Sequence, residues 1–172
     1  MIEPGNIYNP PIKTGYSEKM NFQFVSPFLT SILNVLTTMA SLEAKHGKPS
    51  YKTNATACGD VSGIIGMASE QARGTLAVTF TQPVALEITK RMLGDELTEI
   101  DHTVIDMVGE ITNMVTGGAK SLLSEQGYRF DMAIPSVISG KNHVIHHKSK
   151  APVILVPFHT DAGDFFVEIC FE

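Results

Sequence analysis

Hydrophobic residues recur along the chain at two spacings, one typical of helices and one typical of strands. Three segments with helical spacing predict helices at residues 26–47, 83–93 and 102–126. Six alternating or β-branched segments predict the strands Tyr51–Cys58, Val61–Ala68, Gly74–Thr81, Phe130–Ser139, Pro152–Thr160 and Asp164–Phe171. Each half of the chain is thus a helix followed by three strands, with one extra helix between the halves. This order predicts a pseudo-symmetric α+β domain with helices packed on a six-stranded, largely antiparallel sheet.

The predicted first helix has end signals and two contrasting faces. Ser26 is a candidate N-cap, Pro27 suits the first helical position, and Gly47 suits the C-terminal stop. The apolar face consists of Phe28, Ile32, Val35, Leu36 and Met39. The opposite face is polar but uncharged and consists of Thr30, Ser31, Asn34, Thr37, Thr38 and Ser41. We expect the apolar face to pack in the core.

Residues 1–20 differ in composition from the rest of the chain. They contain three prolines and two glycines and show little apolar periodicity. We therefore expect a flexible N-terminal tail at 1–20 and one globular domain at 21–172, with Met20 as an alternative start. These residues lack the apolar region of a secretory signal, and no stretch of the sequence is long and apolar enough to cross a bilayer. A cytoplasmic protein is expected.

Charge, cysteine and histidine content narrow the classes of function. The net charge is -5 and basic residues are scattered, which disfavours a nucleic-acid or membrane-surface partner. Cys58 and Cys170 lie in strand-like runs without a CxxC, and we expect buried, reduced thiols rather than a disulfide. His143, His146 and His147 lie among lysines in a polar connector, where a solvated loop is favoured over a metal site.

The third predicted helix carries the most informative pattern. Asp106, Glu110 and Asn113 fall within roughly 60° of one another at about 100° per residue. The polar stripe is extended by Thr103, Gly117 and Lys120, and the residues on the opposite side, expected to face the core, are Val108, Ile111, Val115 and Leu122. A solvated surface is the ordinary interpretation of such a stripe. An asparagine and a glycine in mid-helix, both poor helix formers, make a functional interpretation equally tenable.

The spacing Asp106-x3-Glu110-x2-Asn113 resembles the signature of the CheC/CheX/FliY chemotaxis phosphatases. The segment GEITNMVTGGAK, residues 109–120, is similar to the family's helix around that motif. Pro135 follows Asn113 with 21 residues between them and is the candidate for the motif's distal proline. It lies one residue closer than in the family pattern. The resemblance covers residues 21–172.

The first helix carries a weaker version of the same motif. Ser31-x2-Asn34 occupies the position where CheC-like members carry Glu-x2-Asn, and Pro27 occupies the Asp/Ser position. One intact motif and one degenerate motif resemble the CheX pattern. Asn34 is then expected to be a surface amide without a catalytic role.

The resemblance implies a phosphatase that accelerates hydrolysis of the aspartyl phosphate of a CheY-like response regulator. Asn113 would orient the attacking water and Glu110 would pair with the regulator's active-site lysine, which makes these two the catalytic candidates. Asp106, Gly117 and Lys120 are the partner-binding candidates. Mg²⁺ would be held by the regulator, and the protein itself would need no cofactor. A homodimer formed through the sheets, with 140–151 at the paired edge, is also implied.

Two other functions remain open at this point. One is a non-catalytic, CheC/FliY-like module that docks a response regulator, a flagellar-switch protein or a deamidase. The other is a purely structural domain, which the intact Glu110 and Asn113 pair argues against. The sequence contains no P-loop, HExxH or GxSxG motif that would indicate a different enzyme.

Overall fold

A computed structural model describes the backbone of residues 16–172 and the side chains of residues 24–172. Its elements are α1 Tyr16–Ala40, β1 Lys45–His46, β2 Ser50–Tyr51, β3 Val61–Ala68, β4 Arg73–Phe80, α2 Gln82–Leu93, α3 His102–Glu125, β5 Asp131–Met132, β6 Ser136–Ser139, β7 Ile154–Thr160 and β8 Gly163–Phe171. Residues 1–15 lie outside the described residues, so the predicted tail stays a prediction. Its last part, from Tyr16 to Met20, is helical in α1.

The strands form one antiparallel sheet in the order β1-β7-β8-β4-β3-β5, with β2 also paired to β7 and β6 also paired to β3. Two short strands share each edge, so the eight strands occupy six positions across the sheet. Leu76 in β4 lies opposite Ile65 in β3 and Ile169 in β8, which places apolar residues of adjacent strands on one face. The predicted fold class is confirmed.

The three helices cover one face of this sheet and enclose the main core. Buried residues of the inner strand face, such as Ile65, Leu76 and Val167, join buried residues of all three helices in a single cluster. Within the described residues, no helix has the length and apolar character needed to span a membrane. Because the helices lie on one face of the sheet, the opposite face is left for other segments of the chain to cover.

The predicted ends of α1 are wrong. The helix begins before Ser26 and contains Pro27 in its interior, and it ends at Ala40 rather than near Gly47. Ser41 stops it with a φ of 47°, and the Leu42 N–H reaches the Leu36 carbonyl at 3.1 Å. On the predicted apolar face, Phe28, Ile32 and Leu36 are buried, whereas Val35 is only half-buried and Met39 is exposed.

The other two helices begin and end at residues typical of helix ends. Thr81 precedes α2 in an extended conformation, and Gly94 ends it in the left-handed region with φ 79°. Asp101 caps α3 by accepting hydrogen bonds from the Thr103 and Val104 N–H groups at 3.0 and 3.2 Å. Gly127, with φ 91°, terminates α3. The predictions of α2 and α3 are therefore confirmed, and each predicted end lies within one residue of the observed one.

Two predicted strands are not continuous. Tyr51–Cys58 is a strand only at its first residue, because the chain then leaves the sheet edge and an Asn54 side chain turns it by accepting from the Thr56 N–H at 3.0 Å. Phe130–Ser139 is divided into β5 and β6 by the loop that contains Pro135, which lacks the N–H that a sheet ladder needs.

The outer face of the sheet is covered by segments 52–58 and 140–151, which also pair with each other between Thr56 and Val144. Ala57 and Ile145 pack there against Ala77 of β4. The 140–151 connector was predicted at a sheet edge, and it instead folds over this face. Cys58 was predicted to be buried and is exposed, whereas Cys170 is buried, and both are free thiols.

Candidate functional site

Helix α3 has a buried face and an exposed face along its whole length. Val108, Ile111 and Val115 are fully buried, as predicted. Leu122 is only half-buried and its neighbour Leu123 takes the core position. This one-residue difference has a simple cause, since a 3.6-residue repeat moves the buried position by one residue over several turns.

Close packing fixes the position of α3 over strands β3 and β6. A Cβ at Gly63 of β3 would collide with Thr112, so the glycine allows the helix to approach the sheet. On its edge-facing side, Gly109 lies against Val137 of β6, whose Cγ2 is 3.5 Å from the place of an added Cβ. The buried Thr112 hydroxyl donates to the Val108 carbonyl at 2.7 Å, so no polar group is left unsatisfied at this contact.

The residues Asp106, Glu110 and Asn113 lie on the solvent side of α3. All three side chains are exposed. Across the residues whose side chains the structure describes, none of the three makes a hydrogen bond or ion pair, so all their polar atoms face water. We call Asp106, Glu110, Asn113, Gly117 and Lys120 the α3 stripe. The structure brings these five predicted residues together on one surface, with Gly117 and Lys120 half-buried at its C-terminal end.

The adjacent glycines Gly117 and Gly118 have different surroundings. A Cβ at Gly117 would meet no described atom within 4 Å beyond its own stretch of helix, so no packing contact among the described residues explains a glycine there. A Cβ at Gly118 would collide with the Ser31 hydroxyl of α1, so this glycine lets the two helices approach closely. The cost of glycine in a helix is about 1 kcal/mol relative to alanine. At Gly117, no close contact with another described residue offsets that cost.

The two polar residues of the degenerate motif on α1, Ser31 and Asn34, differ in burial. Ser31 was predicted on the exposed polar face, but it is 3% exposed and its Oγ donates to the Val115 carbonyl at 2.7 Å. The prediction failed because Ser31 lies at the crossing of α1 and α3, where a serine can bond to the facing helix. Asn34 is exposed, as expected. A glutamate at position 31 could not point to solvent as Glu110 does.

The loop before β6 holds the candidate distal proline. Pro135 is half-buried, and the preceding Ile134 is 89% exposed. Strand β6 follows immediately and contacts α3 through Val137. The loop therefore borders the sheet edge over which α3 lies.

Two histidines of the connector, His143 and His147, form hydrogen bonds on the outer face of the sheet. His143 bonds to the Gly140 carbonyl and to the Ser62 hydroxyl, both at 2.7 Å. His147 is buried with its Nε2 2.8 Å from a Glu168 carboxylate oxygen, and Lys52 pairs with the same carboxylate. His146 is exposed. The prediction of a solvated loop is thus wrong for His147. Among the described residues, no group of three or more His, Cys, Asp or Glu side chains is placed to bind a metal ion.

Comparison with known proteins gives the family. A model described as "Chemotaxis phosphatase CheX" matches residues 61–159, which include β3, all of α3 and most of β7. The chain belongs to the CheX family. The curated CheY-P phosphatase CheX of Thermotoga maritima is 26% identical over 148 residues, covering 86% of this chain and 94% of that protein.

Solved structures of CheX proteins have the same fold. The chemotaxis protein CheX of Vibrio vulnificus is 55% identical, with a TM-score of 0.82 over 87% of this chain and 99% of the other. A CheX–CheY–BeF3–Mg²⁺ complex from Borrelia burgdorferi is 26% identical, with a TM-score of 0.74 over 87% of this chain and 97% of that one. The family and fold that the resemblance implied are therefore confirmed.

Proposed function

We propose that this CheX-family protein hydrolyses the aspartyl phosphate of a CheY-like response regulator through Asn113 and Glu110. The observation that supports the proposal most directly is the α3 stripe. Its carboxylates and amide point away from the core and have no partner among the described side chains, so they are free to enter the active site of another protein. The family of the chain and the names of its relatives point to the same activity.

Asn113 has the chemistry needed to position water. Its side-chain amide carries an acceptor and two donors and stays neutral at all physiological pH values. In the reaction, a water attacks phosphorus as the bond to the aspartyl oxygen breaks, which releases inorganic phosphate and restores the regulator's carboxylate. Phosphoryl transfer depends mainly on positioning and charge stabilisation, so a group that holds the water in line accelerates it. The protein needs no covalent nucleophile for this role.

Glu110 and Asp106 supply negative charge on the N-terminal side of the water-positioning amide. Glu110 lies one turn from Asn113, and we propose that it pairs with the regulator's active-site lysine and so fixes the register of docking. Asp106 lies one turn further towards the N-terminus, where it contacts the rim of the partner. Mg²⁺ is held by the regulator in this scheme, and the protein contributes no cofactor. The Borrelia burgdorferi complex contains CheX, CheY and Mg²⁺ together.

The test is phosphate release from a panel of acyl-phosphorylated receiver domains. Asn113→Ala should reduce the turnover rate at saturating regulator by at least about 100-fold while the Kd for the beryllofluoride-bound regulator changes little. Glu110→Ala should raise the Kd as well, and the salt dependence of binding should fall because one charge pair is lost. Glu125→Ala is the matched control, since it removes another exposed carboxylate from the same helix.

Two outcomes would overturn this proposal. Wild-type hydrolysis by Asn113→Ala would show that the water is positioned by another residue. Equal binding to phosphorylated and unphosphorylated regulator, without hydrolysis, would favour the non-catalytic docking module.

We also propose that the protein is a cytoplasmic homodimer that pairs through a sheet edge. Both edges of the sheet consist of short, mostly exposed strands, and the β6 edge carries the exposed Ile134 and Ile138. Light scattering at micromolar concentration should give twice the monomer mass. Ile138→Lys should reduce that mass if β6 is the paired edge, and Tyr51→Lys should do so if β2 is. A stable monomer in the unmodified protein would contradict the proposal.

A further inference from the structure

A groove of about 370 Å³ lies between α1 and α3 on the helix-covered side of the protein. Its α1 wall includes Val35, Thr38 and Met39, and its α3 wall includes Met114 and Leu122. Met39 is 40% exposed, so part of this apolar side chain is accessible at the groove. The groove lining contains no charged residue.

The groove exists because the two helices cross closely at one point. Gly118 faces Ser31 at the crossing, and the small size of these two residues sets the depth of the groove floor. Methionines on the walls are flexible and polarizable, which suits a surface that adapts to an inserted apolar side chain. The shape and the lining thus favour an uncharged, apolar group over an ionic one.

The groove lies beside the α3 stripe. Ser121 lines the groove and follows Gly117 by four residues, so the two lie one turn apart and about 40° around the helix. On the other flank of α3, Val137 of β6 bounds the space beside Gly109, and the exposed Ile134 lies in the loop before β6. The α1 side is the flank that carries the groove.

A protein that docks on the stripe must also cover surface beside it. A stable interface buries about 800 Å² on each partner, which is more area than one face of a helix of about 10 Å diameter provides. A regulator that accepts Asn113 in its active site therefore extends over the groove. Resting on the function proposed above, we infer that the groove receives an apolar side chain of the same response regulator and contributes to the choice of regulator. The α3 stripe then supplies chemistry and register, and the groove supplies binding.

Two adjacent threonines of α1 provide a matched test. Thr38 lines the groove and Thr37 does not, yet both are exposed and both are in the same helix. Arginine has a higher helix propensity than threonine, so neither Thr38→Arg nor Thr37→Arg should unfold the protein. The probe is a CheY-like receiver domain that the wild-type protein dephosphorylates, used as its Mg²⁺–beryllofluoride complex for binding and as the phosphoprotein for kinetics.

Thr38→Arg should raise the Kd for the receiver domain and the KM by about tenfold, with kcat at saturation unchanged. Thr37→Arg should leave both values at the wild-type level. Met39→Ala, which removes one apolar wall without adding charge, should weaken binding in the same direction. The Asn113→Ala background should show the same binding loss for Thr38→Arg, because the groove contributes to docking rather than to the chemical step.

The inference fails if Thr38→Arg and Thr37→Arg bind the receiver domain equally well. It also fails if Thr38→Arg lowers kcat while the KM stays constant. Failure of the proposed function has a different signature, namely no phosphate release by the wild-type protein from any receiver domain of the panel.

Discussion

A methyl group added at Gly117 should separate the stability of this protein from its activity. Gly117→Ala places a Cβ in open space, where no described atom outside the adjacent backbone of α3 and the two neighbouring residues lies within 4 Å. Replacing glycine by alanine inside a helix gains about 1 kcal/mol. For a domain of this size that gain corresponds to a rise in Tm of about 2–4 °C. The variant should therefore be more stable than the wild type.

Activity should change in the opposite direction. If the surface of the regulator approaches the backbone of α3 at Gly117, the new methyl group displaces it and misplaces Asn113 one turn away. We expect a KM at least about tenfold higher for the phosphorylated receiver domain. The measurements are thermal unfolding and phosphate release on the same preparation. A stabilised variant with wild-type kcat and KM would refute the reasoning, because nothing would then approach Gly117.

The neighbouring glycine supplies the control. A Cβ at Gly118 collides with the Ser31 hydroxyl, so Gly118→Ala must either turn that hydroxyl away from the Val115 carbonyl or push α1 and α3 apart. Overpacking of this kind costs about 1–3 kcal/mol, which opposes the gain in helix propensity. Gly118→Ala should thus lower the Tm or leave it unchanged. Combining it with Ser31→Ala should recover part of the loss, and the double-mutant cycle measures the coupling of the two positions.

Three further predictions concern other parts of the protein. Glu168→Gln removes the buried charge that faces Lys52, so the free energy of unfolding in urea should fall by about 3 kcal/mol, while the α3 stripe on the opposite side keeps its activity. Asp101→Ala removes the cap of α3 and should cost about 1 kcal/mol, most of which Asp101→Asn should recover; equal losses in both variants would contradict a capping role. Iodoacetamide should modify the exposed Cys58 in the native protein and Cys170 only after unfolding, because burial both covers the Cys170 thiol and raises its pKa.

Local signals sufficed for α3 and failed for α1. The Asp101 cap, the helical repeat and Gly127 all act within a few residues, so the sequence alone predicts that helix. Ser26 and Pro27 form an equally good start signal, yet the helix runs through them. The reason lies in tertiary packing, because Phe24, ahead of Pro27, is buried against Phe171 with ring centroids 4.7 Å apart. Burying that ring outweighs the cost of proline inside a helix.

The exposed α3 stripe was predictable, and the buried charges of Glu168, Lys52 and His147 on the other face of the sheet were not. Helical geometry places Asp106, Glu110 and Asn113 on one face whatever the rest of the chain does. The Glu168 cluster depends on Lys52, which is 116 residues away, and on His147 from a different segment. The alternating pattern of β8 places Glu168 on the face of the strand that points away from the main core. No local pattern distinguishes a solvated carboxylate from one that two distant segments cover.

The pair Gly117-Gly118 shows how one helix can meet two different surfaces. Consecutive residues of a helix point about 100° apart, so they cannot face the same neighbour. Gly118 faces α1, and its lack of a side chain is explained by Ser31. Gly117 lies on the α3 stripe, where no described residue packs closely enough to require the absence of a side chain. Since an exposed helical glycine costs about 1 kcal/mol, the stability lost at Gly117 is explained if close approach by the regulator recovers more than that in binding. The Gly117→Ala measurement therefore tests whether the α3 stripe is an interface or only a solvated surface.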